Sequence, residues 1–299
     1  MHRRVSSRFL ASILSWALLV AGAAQASVQE SEPNGSPATA DVLPTGPYGE
    51  WGSGSIGAGT SDEDWWRVEG VSTGSLLFAY INDDHPFNDG QPWLEAYAND
   101  GATAVEAFLP ERIAGAVVPQ NGTVYLRMRE QANNDNLNYI VLQYVGPASD
   151  QASEVEPNGS PGQATPITAG VMAGTVSGSD VDYYSFTVDD PAEDWIVVII
   201  DNDPDDNGSS TQSVVDLVDG TGTSIAYRAD GFVSSSSIAE AFSVSATGTY
   251  YFKVATDVWS EDTDYRFVLL LEGSAVGSRQ VFTDDFETGD TGQWSVGQP

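Results

Sequence analysis

The sequence predicts an all-β chain of two β-sandwiches in tandem, and three observations predict it. Helical periodicity is nearly absent. In its place stand short runs rich in Val, Ile, Thr, Tyr and Phe, parted by clusters of Gly, Asp, Asn and Ser. The third observation is a duplication. Glu30-Ser-Glu-Pro-Asn-Gly-Ser-Pro37 returns as Glu154-Val-Glu-Pro-Asn-Gly-Ser-Pro161, with Asn34 and Asn158 lying 124 positions apart. The echo continues in the same order. Ser61-Asp-Glu-Asp-Trp-Trp66 is answered by Ser179-Asp-Val-Asp-Tyr-Tyr184, Gly122-Thr-Val-Tyr125 by Gly248-Thr-Tyr-Tyr251, and Asn138-Tyr139 by Asp264-Tyr265. A period this long is a whole domain written twice, not a solenoid repeat that needs neighbours to bury its face.

In chain order, residues 1–26 read as a secretory signal peptide. Arg3, Arg4 and Arg8 precede an apolar stretch from Phe9 to Ala24, and Ala24-Gln-Ala26 supplies the small residues of a cleavage site. The stretch is too short and wrongly flanked for a lasting membrane span, so membrane insertion is not expected. Domain one is placed at 28–146, a linker at 147–153, domain two at 154–273 and a tail at 274–299. Val124-Tyr-Leu-Arg-Met128, Tyr184-Ser-Phe-Thr-Val188 and Tyr250-Tyr-Phe-Lys-Val254 alternate as half-buried strands do. Trp66 and Tyr184 face the core in this pattern, and Trp65 and Tyr183 face away. Trp195-Ile-Val-Val-Ile-Ile200 and Phe267-Val-Leu-Leu-Leu271 are apolar throughout, as central strands are. Asp100-Gly101, Asn121-Gly122 and Asp219-Gly220 supply turns. The chain has no cysteine, so each domain rests on its apolar core and on whatever else the sequence provides.

Charge narrows the partners. The chain carries 11 basic against 43 acidic residues, for a net charge of −32. The leader holds three of the basic residues and none of the acids. Such a field repels nucleic acid and anionic lipid and attracts cations.

The duplicated acids suggest where a cation sits. In an extended segment, residues i, i+2 and i+4 share one face. Glu30, Glu32 and Asn34 form one such set, and Glu154, Glu156 and Asn158 its copy. Asp62 and Asp64 form a second pair entering a strand, matched by Asp180 and Asp182. Gathered carboxylates raise one another's cost of ionisation unless a cation compensates. An all-oxygen set without His or Cys selects calcium, whose tolerance of irregular geometry suits the spacing better than magnesium's octahedron. The plainer reading is a surface entry segment with an Asn-Gly turn. Recurrence of both halves in both copies favours the metal, one Ca²⁺ per domain. Asp203-Pro-Asp-Asp-Asn-Gly208 opens like an EF-hand loop, but position twelve is Val214, so it reads as a solvated turn.

These motifs also carry a resemblance. Glu-Pro-Asn-x-Ser-Pro-x-x-Ala, then Gly-x-Ile/Val, Asp-x-Asp-aromatic-aromatic and a late Gly-Thr-x-Tyr resemble the bacterial pre-peptidase C-terminal domain, a family that includes the collagen-binding domains of clostridial collagenases. The resemblance spans nearly all of 28–272, once per copy. Copy one departs from it in Trp65-Trp66 and in the long loop from Asn82 to Trp93. It implies tandem jelly-roll-like sandwiches on an exported bacterial protein. It also implies calcium at Glu30, Glu32, Asn34, Asp62 and Asp64, and again at Glu154, Glu156, Asn158, Asp180 and Asp182. The tail from Phe282 to Trp294 resembles terminal segments of other exported bacterial proteins and reads as a sorting tag or a remnant.

No catalytic constellation is evident. His85 is the one histidine beyond the leader, and no nucleophile elbow, zinc helix or phosphate loop is present. The expectation is a non-enzymatic, monomeric, secreted or cell-surface protein that binds an extracellular polymer or surface protein. Tyr125 and Arg127, with Tyr251 and Lys253 in copy two, lie on the strand face away from the core and are its candidate contacts. The alternatives are an envelope or secretion-assisting component without a specific ligand, and a hydrolase using unrecognised carboxylates. The second Glu-x-Glu motif lies at the domain junction, where a bound ion would stiffen a hinge.

Overall fold

The alternating runs become strands in a computed structural model of the chain. It describes residues 28–43, 51–57, 62–83, 92–110, 112–130, 137–189, 196–205, 213–225, 228–230, 236–241, 244, 246–256, 263–271 and 274–275. The expectations placed on residues 1–26, on His85, on 206–208 and on the tail beyond Ala275 lie outside the described residues.

The first copy contains β1 (Val28–Gln29), β2 (Asp41–Val42), β3 (Gly52–Ile56), β4 (Asp64–Val71), β5 (Leu76–Asp83), β6 (Pro92–Tyr97), β7 (Ala104–Pro110), β8 (Arg112–Val117), β9 (Gly122–Glu130) and β10 (Leu137–Gly146). Sheet A runs β1-β3-β10-β5-β8 and sheet B runs β2-β4-β9-β6-β7. From β3 onward the order is that of a jelly roll, with four antiparallel strands in each sheet. The second copy contains β11 (Gln151–Ser153), β12 (Thr165–Pro166), β13 (Val171–Val176), β14 (Val181–Val188), β15 (Ile196–Asp201), β16 (Ser213–Val218), β17 (Arg228–Asp230), β18 (Ser236–Ala241), β19 (Gly248–Thr256), β20 (Thr263–Leu271) and β21 (Ser274–Ala275). Sheet C runs β11-β13-β20-β15-β18-β17, with β21 beside β20, and sheet D runs β12-β14-β19-β16. Among the described residues the topology repeats with two changes: β21 has no counterpart in the first copy, and β17, the counterpart of β7, pairs with β18 in sheet C. Among the described residues, helix is confined to two short 3₁₀ turns, Pro37–Thr39 and Pro161–Gln163. None is long and apolar enough to cross a membrane.

Each sandwich closes on its own core. Between sheets A and B pack Trp66, Val68, Ile81, Leu126, Met128 and Val141. Between sheets C and D pack Tyr184, Phe186, Ile200, Leu217, Phe252 and Phe267. Tyr184, Phe186 and Val188 all point inward, as their alternation predicts.

A third apolar layer joins the copies. The outward faces of sheets A and C meet, burying Phe78, Tyr80 and Leu142 of the first copy against Val197, Ile199 and Val268 of the second. Layer order is therefore B, A, C, D. The junction between copies is correspondingly tight. Tyr144 Oη donates to Asp150 Oδ2 at 2.8 Å, and Asp150 Oδ1 accepts from Gly170 N at 3.0 Å. Gln151–Ser153 pairs parallel with Val171–Ala173. The junction is held by sheet pairing and packing.

Candidate metal centres

The Glu-x-Glu-Pro-Asn segments do not run extended. Each turns at the edge of its sandwich, and both copies use the same hydrogen bonds to do so. Asn34 N donates to Glu32 Oε2, and Asn158 N to Glu156 Oε2, each at 3.0 Å. The asparagine carbonyls then accept from the following Asp-x-Asp strand: Trp65 N reaches Asn34 O at 3.2 Å, and Tyr183 N reaches Asn158 O at 3.0 Å. Both Glu-Pro peptide bonds are cis. This docking brings the two halves of the motif, 30 residues apart in copy one (Asn34 to Asp64) and 24 in copy two (Asn158 to Asp182), to one place.

In copy one, carboxylate oxygens of Glu32, Asp62 and Asp64 lie within 4.8 Å of one another; in copy two those of Glu154, Glu156 and Asp182 do. Glu30 sits at the same ledge. Its Oε2 accepts from Asn34 Nδ2 at 3.4 Å and from Tyr139 Oη at 3.1 Å, and its Oε1 from Ser55 N at 2.6 Å. Glu154 repeats this with Asn158 Nδ2 at 3.2 Å, Tyr184 Oη at 3.2 Å and Thr175 N at 2.7 Å. Asp62 and Asp180 are the least alike: Asp62 accepts from Gly57 N, and Asp180 from the adjacent Val181 N.

The decisive feature is what these oxygens lack. Asn34 and Asn158 are fully buried, and their amide nitrogens are committed to neighbouring carboxylates. The carbonyl oxygen of each, Oδ1, is left without a hydrogen-bond donor. Both oxygens of buried Asp64 and Oδ1 of buried Asp182 are equally without a donor. Buried acceptors without partners are costly, and those facing one another repel. Burial, and next the charge of Glu30, pushes Asp64 from 3.8 to about 8. Burial likewise pushes Asp182 to about 8. A proton or a cation relieves the repulsion in such a cluster, and a hard divalent cation satisfies every oxygen at once. The donor set of carboxylates and an amide carbonyl fits Ca²⁺.

Sequence reading missed the residues that support this ledge. Tyr139 and Tyr265 appeared only as an echo. Trp66 Nε1 donates to Tyr139 Oη at 2.9 Å, which donates on to Glu30. In copy two, Tyr265 Oη donates to Asp182 Oδ2 at 2.6 Å and lies 2.7 Å from Tyr184 Oη. Burial holds both Tyr139 and Tyr265 well above the ordinary phenol range, so they remain donors. Gly174 is the other missed element: a Cβ there would lie 2.5 Å from both tyrosine oxygens and 2.6 Å from Glu154 Oε2. Gly54 makes the same room for Glu30 and Tyr139. A cavity of about 340 Å³, lined by Glu154, Thr175, Asp264 and Tyr265 among others, opens beside the second cluster.

The Trp66–Tyr139–Glu30 relay makes the first site optically visible. Adding calcium is expected to change tryptophan emission saturably, and Trp66→Phe should remove that change while the second site still binds. A change that survives Trp66→Phe would place its origin elsewhere among the 8 tryptophans.

The other candidate contacts lie on the outer faces of sheets B and D. Arg127 Nε donates to Glu95 Oε2 at 2.5 Å, and its guanidinium lies over Trp65 at 5.5 Å and Tyr97 at 5.2 Å. Arg129 donates to Glu95 Oε1 at 3.2 Å and covers Trp93 at 4.5 Å. Tyr125 meets the edge of Trp65, with centroids 6.4 Å apart. In copy two, Tyr251 meets Tyr183 at 6.5 Å, and Lys253 lies in register between Tyr183 and Asp216. The two faces thus share an acid-beside-base layout. Copy one elaborates it with Trp93 and Arg129 where copy two has Val214 and Ala255.

No family model matches the chain, and no curated protein matches it. Among solved structures, the CUB1-EGF-CUB2 domain of human MASP-1/3 overlays at 9% identity, covering 72% of this chain and 98% of that one with a TM-score of 0.19. The PBSX exported protein XepA overlays at 11% identity over 73% and 84%, with a TM-score of 0.23. The CUB1-EGF-CUB2 domains of rat MASP-1 give 8% identity, 73% and 96%, and 0.18. Similarity at this level assigns neither family nor function.

Proposed function

We propose that this is an exported, non-catalytic binding or accessory protein of two pre-peptidase C-terminal-type sandwiches, each stabilised by one Ca²⁺. The observation that carries the reading is the orphaned set of buried acceptors, present at Asn34 and Asp64 and again at Asn158 and Asp182. Glu32, Asp62, Asp64 and the Asn34 carbonyl would hold the first ion, with Glu30 beside them. Glu156, Asp182, Glu154 and the Asn158 carbonyl would hold the second. The ions complete the sandwiches, and the residues around them orient oxygens rather than activate a nucleophile. Native mass spectrometry should find two calcium ions per chain, falling to one in either Asp64→Asn or Asp182→Asn. A chain that takes up none removes the basis of the reading.

Binding is assigned to the outer face of sheet B. Sheet D folds without the second tryptophan and second arginine of that face, so the fold does not require them. The ligand is an extracellular polymer or surface protein. The test is retention on insoluble collagen, chitin and cell-wall polymer. Tyr125→Ala should weaken retention about tenfold, the loss of one aromatic contact, with calcium binding unchanged. Retention on none of the panel would favour the ligand-free envelope role.

A further inference from the structure

The apolar faces that join the two sandwiches are near-duplicates of each other. Leu142 and Val268, Tyr144 and Leu270, and Phe78 and Val197 hold equivalent strand positions and are all buried at the same interface. Faces so alike create a hazard. Apolar contact is not directional, so by itself it does not keep sheet C of one chain off sheet C of a second.

Where β10 meets β5 and β20 meets β15, one charged pair breaks the equivalence. On β10, Ile140 lies opposite Asn82 of β5. At the matching place on β20 stands Arg266, opposite Asp201 of β15. Arg266 Nε donates to Asp201 Oδ2 at 2.6 Å, and its Nη2 crosses the interface to the carbonyl of Gly115 on β8 at 2.7 Å. Side-chain exposure is 11% for Arg266 and 5% for Asp201, so the pair is buried by the other sandwich. Gly115 has φ +70, and a Cβ there would lie 2.6 Å from Arg266 Nε. Glycine therefore lets the backbone of sheet A close over the guanidinium.

We propose that Arg266, Asp201 and the Gly115 carbonyl form a pairing code that directs sheet C onto a sheet A and disfavours C-to-C and A-to-A contacts between chains, while the short junction makes that sheet A the chain's own. A contact between two C sheets brings two guanidiniums together and supplies neither with the Gly115 carbonyl. A contact between two A sheets supplies the carbonyl without the Arg266–Asp201 pair. Buried charge is tolerated only where it is fully paired, which makes it a specificity device even when it adds little stability.

The experiment gives copy two the residues of copy one: Asp201→Asn with Arg266→Ile. Light scattering on the mature chain should find a monomer for the wild type from low micromolar to near-millimolar concentration. The double variant, with unchanged far-UV circular dichroism, should approach twice that mass as concentration rises. Should it fail to fold, Asp201→Asn with Arg266→Met carries the test, since the methionine stem fills the arginine's space and no charge is left unpaired, and it must gain mass in the same way. A folded variant that stays monomeric at all concentrations, or a wild type that dimerises, overturns the proposal.

Discussion

Stripped of divalent cations near neutral pH, the chain is expected to melt roughly 10 °C or more below its calcium-loaded form, the consequence of two sites worth about 2.7 kcal/mol each at a hundredfold excess over Kd. The gap should widen with pH. Burial raises Asp64 and Asp182 from 3.8 to about 8. Between about 4 and 8 the folded, cation-free state therefore holds protons that the unfolded chain has released. Stability in chelator falls as pH rises through that window, by at most about 1.4 kcal/mol per pH unit per site. Calcium reverses the sign, because it binds the ionised carboxylates and competes with protons. Its benefit is smallest near pH 4 and largest near pH 8. Asp64→Asn should halve both the calcium response and the acid-side advantage. Thermal melts at several pH values with calcium and with chelator check this, and superimposable curves near pH 8 would remove the metal from the account.

The ledge was legible in sequence because its chemistry is local and written twice. Glu-x-Glu-Pro-Asn and Asp-x-Asp need no knowledge of the fold to read as a set of oxygens. What sequence could not supply was how those oxygens converge. Extended geometry places Glu30, Glu32 and Asn34 on one face, whereas the segment turns, with Asn34 N reaching back to the Glu32 carboxylate. The supporting groups were invisible for a different reason. Tyr139 comes from a strand more than seventy residues beyond Asp64, and only the echo Asn138-Tyr139 and Asp264-Tyr265 marked it. An aromatic at a core position reads as packing until its hydroxyl is found on a carboxylate.

The fold shows the same division. Alternation reported which residues face inward at Tyr184, Phe186 and Val188, and a sandwich follows from it. Continuous apolar runs carried a message that alternation cannot decode. Ile196, Val198 and Ile200 face the core of their own sandwich, and Val197 and Ile199 face the other sandwich. A strand apolar on both faces needs two partners. The sequence offered the second copy as one only implicitly, since nothing local says which sheets will meet. A junction of 147–153 reads as a linker by composition, yet part of it pairs into sheet C.

Gly115→Ala should be among the most damaging single substitutions in the chain, costing about 3 kcal/mol or more. The backbone at Gly115 has φ +70, where a side chain costs on the order of 1–2 kcal/mol by itself. Its Cβ would also press on Asp201 Oδ2 and Arg266 Nε. These atoms end side chains, but they cannot swing aside cheaply, because moving either one breaks a buried ion pair. Breaking such a pair costs about 3–5 kcal/mol. Contrast sets the scale. Gly178 and Gly222 also have positive φ, at 59° and 87°, and have nothing within 4 Å of a Cβ. Alanine there should incur the backbone cost alone. Denaturant melts of Gly115→Ala, Gly178→Ala and Gly222→Ala separate the two contributions. If Gly115→Ala loses no more than the other two, the carbonyl at Gly115 is not closed over a rigid charge pair, and the interface between sheets A and C is looser than its buried residues imply.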